Sequence, residues 1–216
     1  MISNVRIFAR ALALAGLLPL LCACATKFEA ADAARVNTIA IQKVDEPKYY
    51  AFTYFVAHQN PVLADDNQEF NTAMERQNLH LGAELADAVA QALRGDGYKI
   101  ANADEADAVM NLTVGGFLPD QPGPTYSAHA AAFEPELTIK ARLTDTKTKK
   151  TLFQQLYLIA NNSIKPMDGT IMLVPDEKYY LASTKDLFGK SDVAAAGFRS
   201  ALLLVADHIA QSFKKP

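Results

Sequence analysis

Cysteine is nearly absent from this chain of 216 residues: it occurs twice, as Cys22 and Cys24, both inside "LPLLCACATKF" at the end of an apolar run. Histidine is as sparse, and its four copies, His58, His80, His129 and His208, make no His-x-x-x-His or His-Glu-x-x-His pair. Those spacings would set two imidazoles on one helical face for zinc, so no metal site is expected. In "ADDNQEF" the acids Asp65 and Glu69 alternate with Asn67, but Phe70 stands where a calcium loop needs its turn-forming glycine. No Gly-rich phosphate loop and no Gly-x-Ser-x-Gly elbow is present, and Asp104 and Glu105 sit in a turn without an apolar wall to raise a carboxyl pKa. The expectation is a protein without cofactor and without catalysis. An excess of basic charge is lacking too, with 21 basic against 24 acidic side chains, and this mild acidity argues against a nucleic-acid partner. There is no long repeat and no low-complexity tract.

What the chain has begins at its start. Met1 to Arg10 carries Arg6 and Arg10 and no acid, and Ala11 to Leu21 is an unbroken small or apolar run. This is the layout of a signal peptide. The run is too short for a spanning helix, which needs about 20 apolar residues, and Pro19 interrupts it. Leu21-Cys22-Ala23-Cys24 resembles the bacterial lipobox, with Leu three positions before the cysteine and Ala just before it. The resemblance implies cleavage before Cys24, a diacylglyceride on its thiol and an acylated amino terminus. Cys22 does not fit, because Leu21 before it is too bulky for a site that takes Gly, Ala or Ser. No Asp follows Cys24, so the family's sorting rule implies the outer membrane, periplasmic face. Loss of residues 1–23 takes two bases and no acid, deepening the formal charge from −3 to −5, and removes Cys22. With Cys24 lipidated, no thiol is left for a disulfide.

Residues 24–35 read as a lipidated, Ala-rich tether and 36–216 as one domain, a length within the single-domain range. Half of the chain is apolar, enough for a substantial core. Val36 to Ile41 has the β-branched enrichment of a strand, and Tyr49 to Val56, "YYAFTYFV", alternates as another. His58 to Arg76 reads as loop. Leu81, Leu85, Val89 and Leu93 fall four apart, an amphipathic helix stopped by Gly95 and Gly97. Tyr98 to Ile100 and Ala108 to Phe117 are strands, the latter with Asn111 and Thr113 on its wetter face. Leu137 to Leu143 and Leu152 to Ile159 form a hairpin around "DTKTKK". Asp192 to Phe213 carries Phe198, Leu202, Val205, Ile209 and Phe213 at helical spacing, with Ser191 placed to cap the first turn.

The predicted order is β-β-α-β-β-β-β-α. It implies an α+β domain, an antiparallel or mixed sheet of about six strands with two amphipathic helices packed on one face. "GDGYKIANADEADAVMNLTVGGF" followed by "LTIKARLTDTKTKKTLFQ" resembles small α+β periplasmic lipoproteins related to the curli-secretion lipoprotein and to the N-terminal domain of the Tol β-propeller protein. Lys149 departs from that pattern, which has Gly at this point of the turn. The resemblance implies a protein that binds or assembles with other envelope proteins.

For such docking the candidates are Tyr50, Phe52 and Tyr54, on one alternating face, and Tyr179 and Tyr180 in "DEKYY", within the long connection from Asn162 to Lys190. The plainer alternative is that both aromatic clusters cover sheet edges. The expected function is a non-catalytic lipoprotein held on the membrane by Cys24, with an envelope protein or a second copy as partner. The alternative is a periplasmic carrier or sensor of a small apolar ligand. An aromatic patch on the surface would favour the first, an enclosed apolar pocket the second, and titratable groups converging in a cleft an enzyme.

Overall fold

The computed structural model describes residues 25–54, 64–116, 123–129, 132–161 and 168–215. Cys22, Cys24 and the signal segment 1–23 lie outside the described residues. In chain order the elements are α1 (Ala30–Arg35), β1 (Thr38–Ile41), β2 (Ala51–Tyr54), α2 (Ala64–Arg76), α3 (Leu81–Gly95), β3 (Lys99–Ile100) and β4 (Ala108–Gly115). There follow β5 (Thr125–His129), β6 (Ala132–Asp145), β7 (Thr151–Ile159), β8 (Thr170–Leu173), a 3-10 turn (Glu177–Tyr179), α4 (Thr184–Gly189) and α5 (Ser191–Ser212).

The hairpin around "DTKTKK" is the spine. β6 and β7 pair antiparallel from Leu137↔Ile159 to Leu143↔Phe153, with an irregularity before Thr144. Asp145 Oδ1 accepts the N–H groups of Lys147 at 2.9 Å and Thr148 at 2.7 Å, closing the turn. Lys149 has φ 60°. The turn thus keeps a left-handed residue, at which lysine costs about 1 kcal/mol relative to glycine.

The long β6 serves two neighbours on its other side. Its C-terminal half pairs with β4 and its N-terminal half with β5, both antiparallel. Beyond β4 lie β1 and then β3, beyond β5 lies β2, and beyond β7 lies β8, each joined in parallel. The result is an α+β fold whose mixed sheet has eight strands rather than about six. Five helices stand where two were expected. Most of the excess is short: β8 and α4 occupy the connection of 162–190 that showed few regular signals.

One face of the sheet is dry. Ala108, Met110 and Leu112 of β4 and Leu137, Ile139, Ala141 and Leu143 of β6 are buried, while Thr113, Lys140 and Arg142 on the other face are exposed. Leu81, Leu85, Val89 and Leu93 of α3 and Phe198, Val205, Ile209 and Phe213 from α5 and its cap are each 0% exposed, and they share one core with those strand residues. α3 ends as its glycines require, with Gly97 at φ 86°. Ser191 does not cap α5 as expected; it is the first helical residue, and its hydroxyl accepts from Gln77 Nε2 at 3.0 Å. α5 crosses the sheet over Tyr126, whose hydroxyl donates to the Ala194 carbonyl at 3.1 Å. Gly197 permits that approach, since a Cβ there would stand 2.1 Å from the Tyr126 hydroxyl.

The stretch 64–76, read as loop, is helix α2. Its inward face mixes apolar Phe70 and Met74 with Asn67, all 0% exposed. The asparagines have work at the edge of β2: Asn67 Oδ1 accepts from Phe52 N at 2.9 Å, and Asn71 Oδ1 accepts from Tyr50 N at 2.7 Å while its amide donates to the Tyr50 carbonyl. Polar side chains pointing inward disguise the helical stripe. Asp65, Asn67 and Glu69 therefore lie on a helix, not in a cation-binding loop.

Candidate functional site

The segment after Cys24, read as a tether, is docked from Thr26 onward. Thr26 N and O exchange hydrogen bonds with Gln154 O and N, both at 2.9 Å, adding a bridge to the edge of β7. Phe28 stacks on Phe213 with ring centroids 4.5 Å apart, and Phe213 meets Phe153 edge-on at 4.9 Å. α1 follows, with Asp32 and Ala33 buried. Arg35 ties it down: Nε and Nη2 donate to Asp32 Oδ1 at 3.0 and 2.7 Å, and Nη1 donates to Asp145 Oδ2. The first helix is thus locked to the β6–β7 turn.

Asp145 is 2% exposed. The Thr148 N–H first, and then the Arg35 guanidinium, hold its carboxyl well below the usual carboxylate range. Asp107 is lowered in the same sense by the N–H groups of Asn37 and Thr38, which it accepts at 2.9 and 3.0 Å where β1 enters the sheet. A carboxyl lowered on folding stabilises the fold above its unfolded pKa and loses that contribution as pH falls through the folded value. Asp145→Asn is therefore expected to cost about 1.5 to 3 kcal/mol at neutral pH, the range for hydrogen bonds to a charged group. In thermal melts the gap between wild type and variant should narrow below about pH 4. A gap independent of pH down to the acid limit would refute the role given to the charge.

Two open clefts flank the docked segment. One, of about 400 Å³, is lined by Ala25, Lys27, Glu29, Asp32 and Lys150 among others. The other, of about 260 Å³, lies between Phe28, Phe153, Gln155, Ile171 and Ser212. The latter is the more apolar of the two by its lining, yet smaller than the roughly 300 to 1,000 Å³ of small-molecule sites.

The aromatic candidates separate. Tyr50 is 7% and Phe52 4% exposed, so both belong to the core and form no exposed row. Tyr50 lies 5.8 Å from the Phe198 ring, and Phe52 meets Phe70, Phe133 and Phe188 edge-on. The physical reason is α2, which covers β2 from the side the sequence left open. Tyr54 ends β2, and its side chain lies outside the described residues. Tyr179 and Tyr180 are half-buried on the 3-10 turn, which Asp176 caps by accepting from Lys178 N at 3.1 Å. Lys178 Nζ stands 4.8 Å from the Tyr179 ring centroid. The Tyr180 hydroxyl donates to the Pro175 carbonyl at 3.3 Å, and burial pushes its pKa up to about 12. Beside this turn Val174 is 42% exposed. Cys24 lies outside the described residues.

A polar cluster escaped the sequence reading. Glu134 and Glu136 alternate on β6 and are 3% and 0% exposed, with Ser127, 0% exposed, facing them from β5. Ser127 Oγ donates to Glu136 Oε2, and Asn161 Nδ2 donates to Glu134 Oε1 at 3.0 Å. The alternation Phe133, Pro135, Leu137 continues the strand backwards and was the available signal; Pro135 hid it. Among the described residues no three His, Cys, Asp or Glu side chains gather to hold a metal ion.

No family model matches the chain, and no curated protein matches it. Among solved structures it is similar to protein XCC0632 from Xanthomonas campestris, of the family DUF330, at 16% identity over 80% of each chain with a TM-score of 0.42. It is similar to the PelC dodecamer from Paraburkholderia phytofirmans at 10% identity, over 84% of this chain and 90% of that one, with a TM-score of 0.37. Lipoprotein GNA1162 from Neisseria meningitidis is 14% identical over 62% of this chain and 86% of that one, with a TM-score of 0.28. Neighbours described as lipoproteins are thus present among the solved structures.

Proposed function

We propose that the chain is a lipoprotein held through Cys24 in the outer membrane, facing the periplasm, and that it acts by docking on another envelope protein rather than by catalysis. The observation that carries the anchor is the place where the domain releases its N-terminus: Ala25 is exposed and Thr26 is fixed to the sheet edge, directly after Leu21-Cys22-Ala23-Cys24. A lipid there would hold the body on the membrane surface without a spanning helix, each buried methylene contributing about 0.8 kcal/mol. α5 is long and apolar enough to cross a membrane, but its stripe is spent on the core, and half of its most apolar window is buried. The docking surface is the turn bearing Tyr179 and Tyr180, next to exposed Val174. Central aromatic anchors contribute about 2 kcal/mol or more each, and two such rings on a capped turn suit a protein partner.

The test is crosslinking and capture from the native envelope, combined with acyl-chain labelling. Cys24→Ser should carry no lipid and remain unprocessed or soluble, while Cys22→Ala is processed normally. Tyr179→Ser with Tyr180→Ser should reduce partner capture by well over tenfold and leave the protein folded and lipidated. Label on Cys24→Ser would overturn the anchor; full capture by the double variant would overturn the docking surface.

A further inference from the structure

Around the point where the N-terminus leaves the domain, the exposed charge is predominantly basic. Lys140 and Arg142 stand on the open face of β6, Lys149 and Lys150 on the hairpin turn, and Lys27 on the docked segment; all five are exposed. Among the described residues none of the five has an ion-pair partner, the ion pairs being made by Arg35, Lys178, Lys190 and Arg199. Lys27 and Lys150 line one cleft. Of the acids in that cleft, Asp32 is buried and paired with Arg35, which leaves Glu29 as its exposed acid. This concentration runs against the chain's net charge of −3.

The geometry ties these side chains to Cys24. Arg142 pairs with Gln154 across β6 and β7, and Gln154 pairs with Thr26. With neighbouring strands about 4.8 Å apart, the Thr26 backbone lies about 10 Å from that of Arg142. Cys24 is two residues before Thr26, a reach of at most about 7 Å. A lipid on Cys24 therefore keeps the Arg142 backbone within about 17 Å of the anchor, and a basic side chain extended towards the headgroups shortens that distance towards the Debye length, about 8 Å at physiological salt.

We propose that this face is a phospholipid-headgroup surface: Lys27, Lys140, Arg142, Lys149 and Lys150 rest on anionic lipids of the leaflet that holds the Cys24 anchor. The inference rests on the anchor reading above and adds an orientation to it, with the β6–β7 turn towards the membrane and the Tyr179–Tyr180 turn away from it. Leu181 bridges Phe133 at the opposite end of β6 from Asp145, up to about 40 Å along the strand at roughly 3.3 Å per residue.

The test uses the lipidated protein in vesicles of phosphatidylcholine, with or without phosphatidylglycerol. A membrane-impermeant amine reagent is applied and labelling is read at each lysine by mass spectrometry. Labelling of Lys27, Lys140, Lys149 and Lys150 should slow about fivefold or more with phosphatidylglycerol, the effect of one favourable basic contact, and recover in high salt. Lys178, Lys185 and Lys190 should be unaffected. Lys140→Glu with Lys150→Glu, both exposed and checked by melting, should abolish the protection of Lys27. Equal labelling in both vesicle types would overturn the proposal, as would equal protection of Lys190, which would indicate coverage by other copies. A chain without lipid on Cys24 would refute the anchor reading separately. Its flotation with phosphatidylglycerol vesicles, lost in the double variant, would still support the surface, and failure to float would overturn it.

Discussion

A chain ending before Val193 should have no cooperative unfolding transition. Phe198, Leu202, Val205, Ile209 and Phe213 are each at most 1% exposed, and all five would leave the sheet together. At about 1.5 to 3 kcal/mol per buried side chain the loss is roughly 8 to 15 kcal/mol. That matches the whole stability of a typical domain, about 5 to 15 kcal/mol. The truncation also removes the Phe213 ring under Phe28 and the Phe213 carbonyl that accepts from the Tyr98 hydroxyl at 2.7 Å. The docked N-terminus would lose its seat with the rest. Calorimetry and near-ultraviolet dichroism decide the matter, and a truncated chain melting cooperatively near the full-length temperature would show α5 to be peripheral.

Gly197→Ala should destabilise the fold although it places a better helix former inside a helix. Alanine gains about 1 kcal/mol of propensity over glycine. Against this, its Cβ would lie 2.1 Å from the Tyr126 hydroxyl and 3.1 Å from the Tyr179 Cβ. Tyr126 is 0% exposed and its ring is held edge-on to Phe198 at 5.1 Å, so it cannot swing away. Overpacking of this kind costs about 1 to 3 kcal/mol and here can exceed the propensity gain, because backbone must move. The melting temperature is expected to fall by several degrees, at about 2 to 4 °C per kcal/mol for a chain of this size. Tyr126→Phe removes the clashing oxygen and should restore part of the loss in the double variant. Additive effects of the two changes in a double-mutant cycle would refute the clash.

The elements legible in the sequence are those whose partners are apolar and whose spacing is regular. The stripes of α3 and α5 and strand β7 can be read at close to their observed bounds, because burial alone dictates their periods of 3.6 and 2, whereas only the C-terminal half of β6 is read, its start at Ala132 lying beyond Pro135. α2 is hidden because Asn67 and Asn71 face inward to serve another element's backbone, and no periodicity of hydrophobicity records that. Tyr50 and Phe52 illustrate the complementary error: alternation assigns residues to two faces but does not say which face a later helix will cover. The docking of Thr26 on Gln154, and of Arg35 on Asp145, joins positions more than a hundred residues apart, where local patterns are silent. Of the proposed site, Cys24 and the Tyr179–Tyr180 turn are suggested by sequence motifs alone, whereas the basic face around Lys150 emerges once the N-terminus is seen to lie beside the hairpin.

The asparagine pairing at β2 also bears on how the protein avoids unwanted self-association. A sheet margin with free donors and acceptors is a template on which strands from other molecules can add. At the start of β2 three such groups are already engaged, Tyr50 N and O just before the strand and Phe52 N within it being satisfied by side chains of α2. At the far margin β3 is two residues long, too short to seed an added strand. Among the described residues β8 pairs with β7 alone, and it is there, at Thr170–Leu173, that growth of the sheet from one molecule into the next would have to begin.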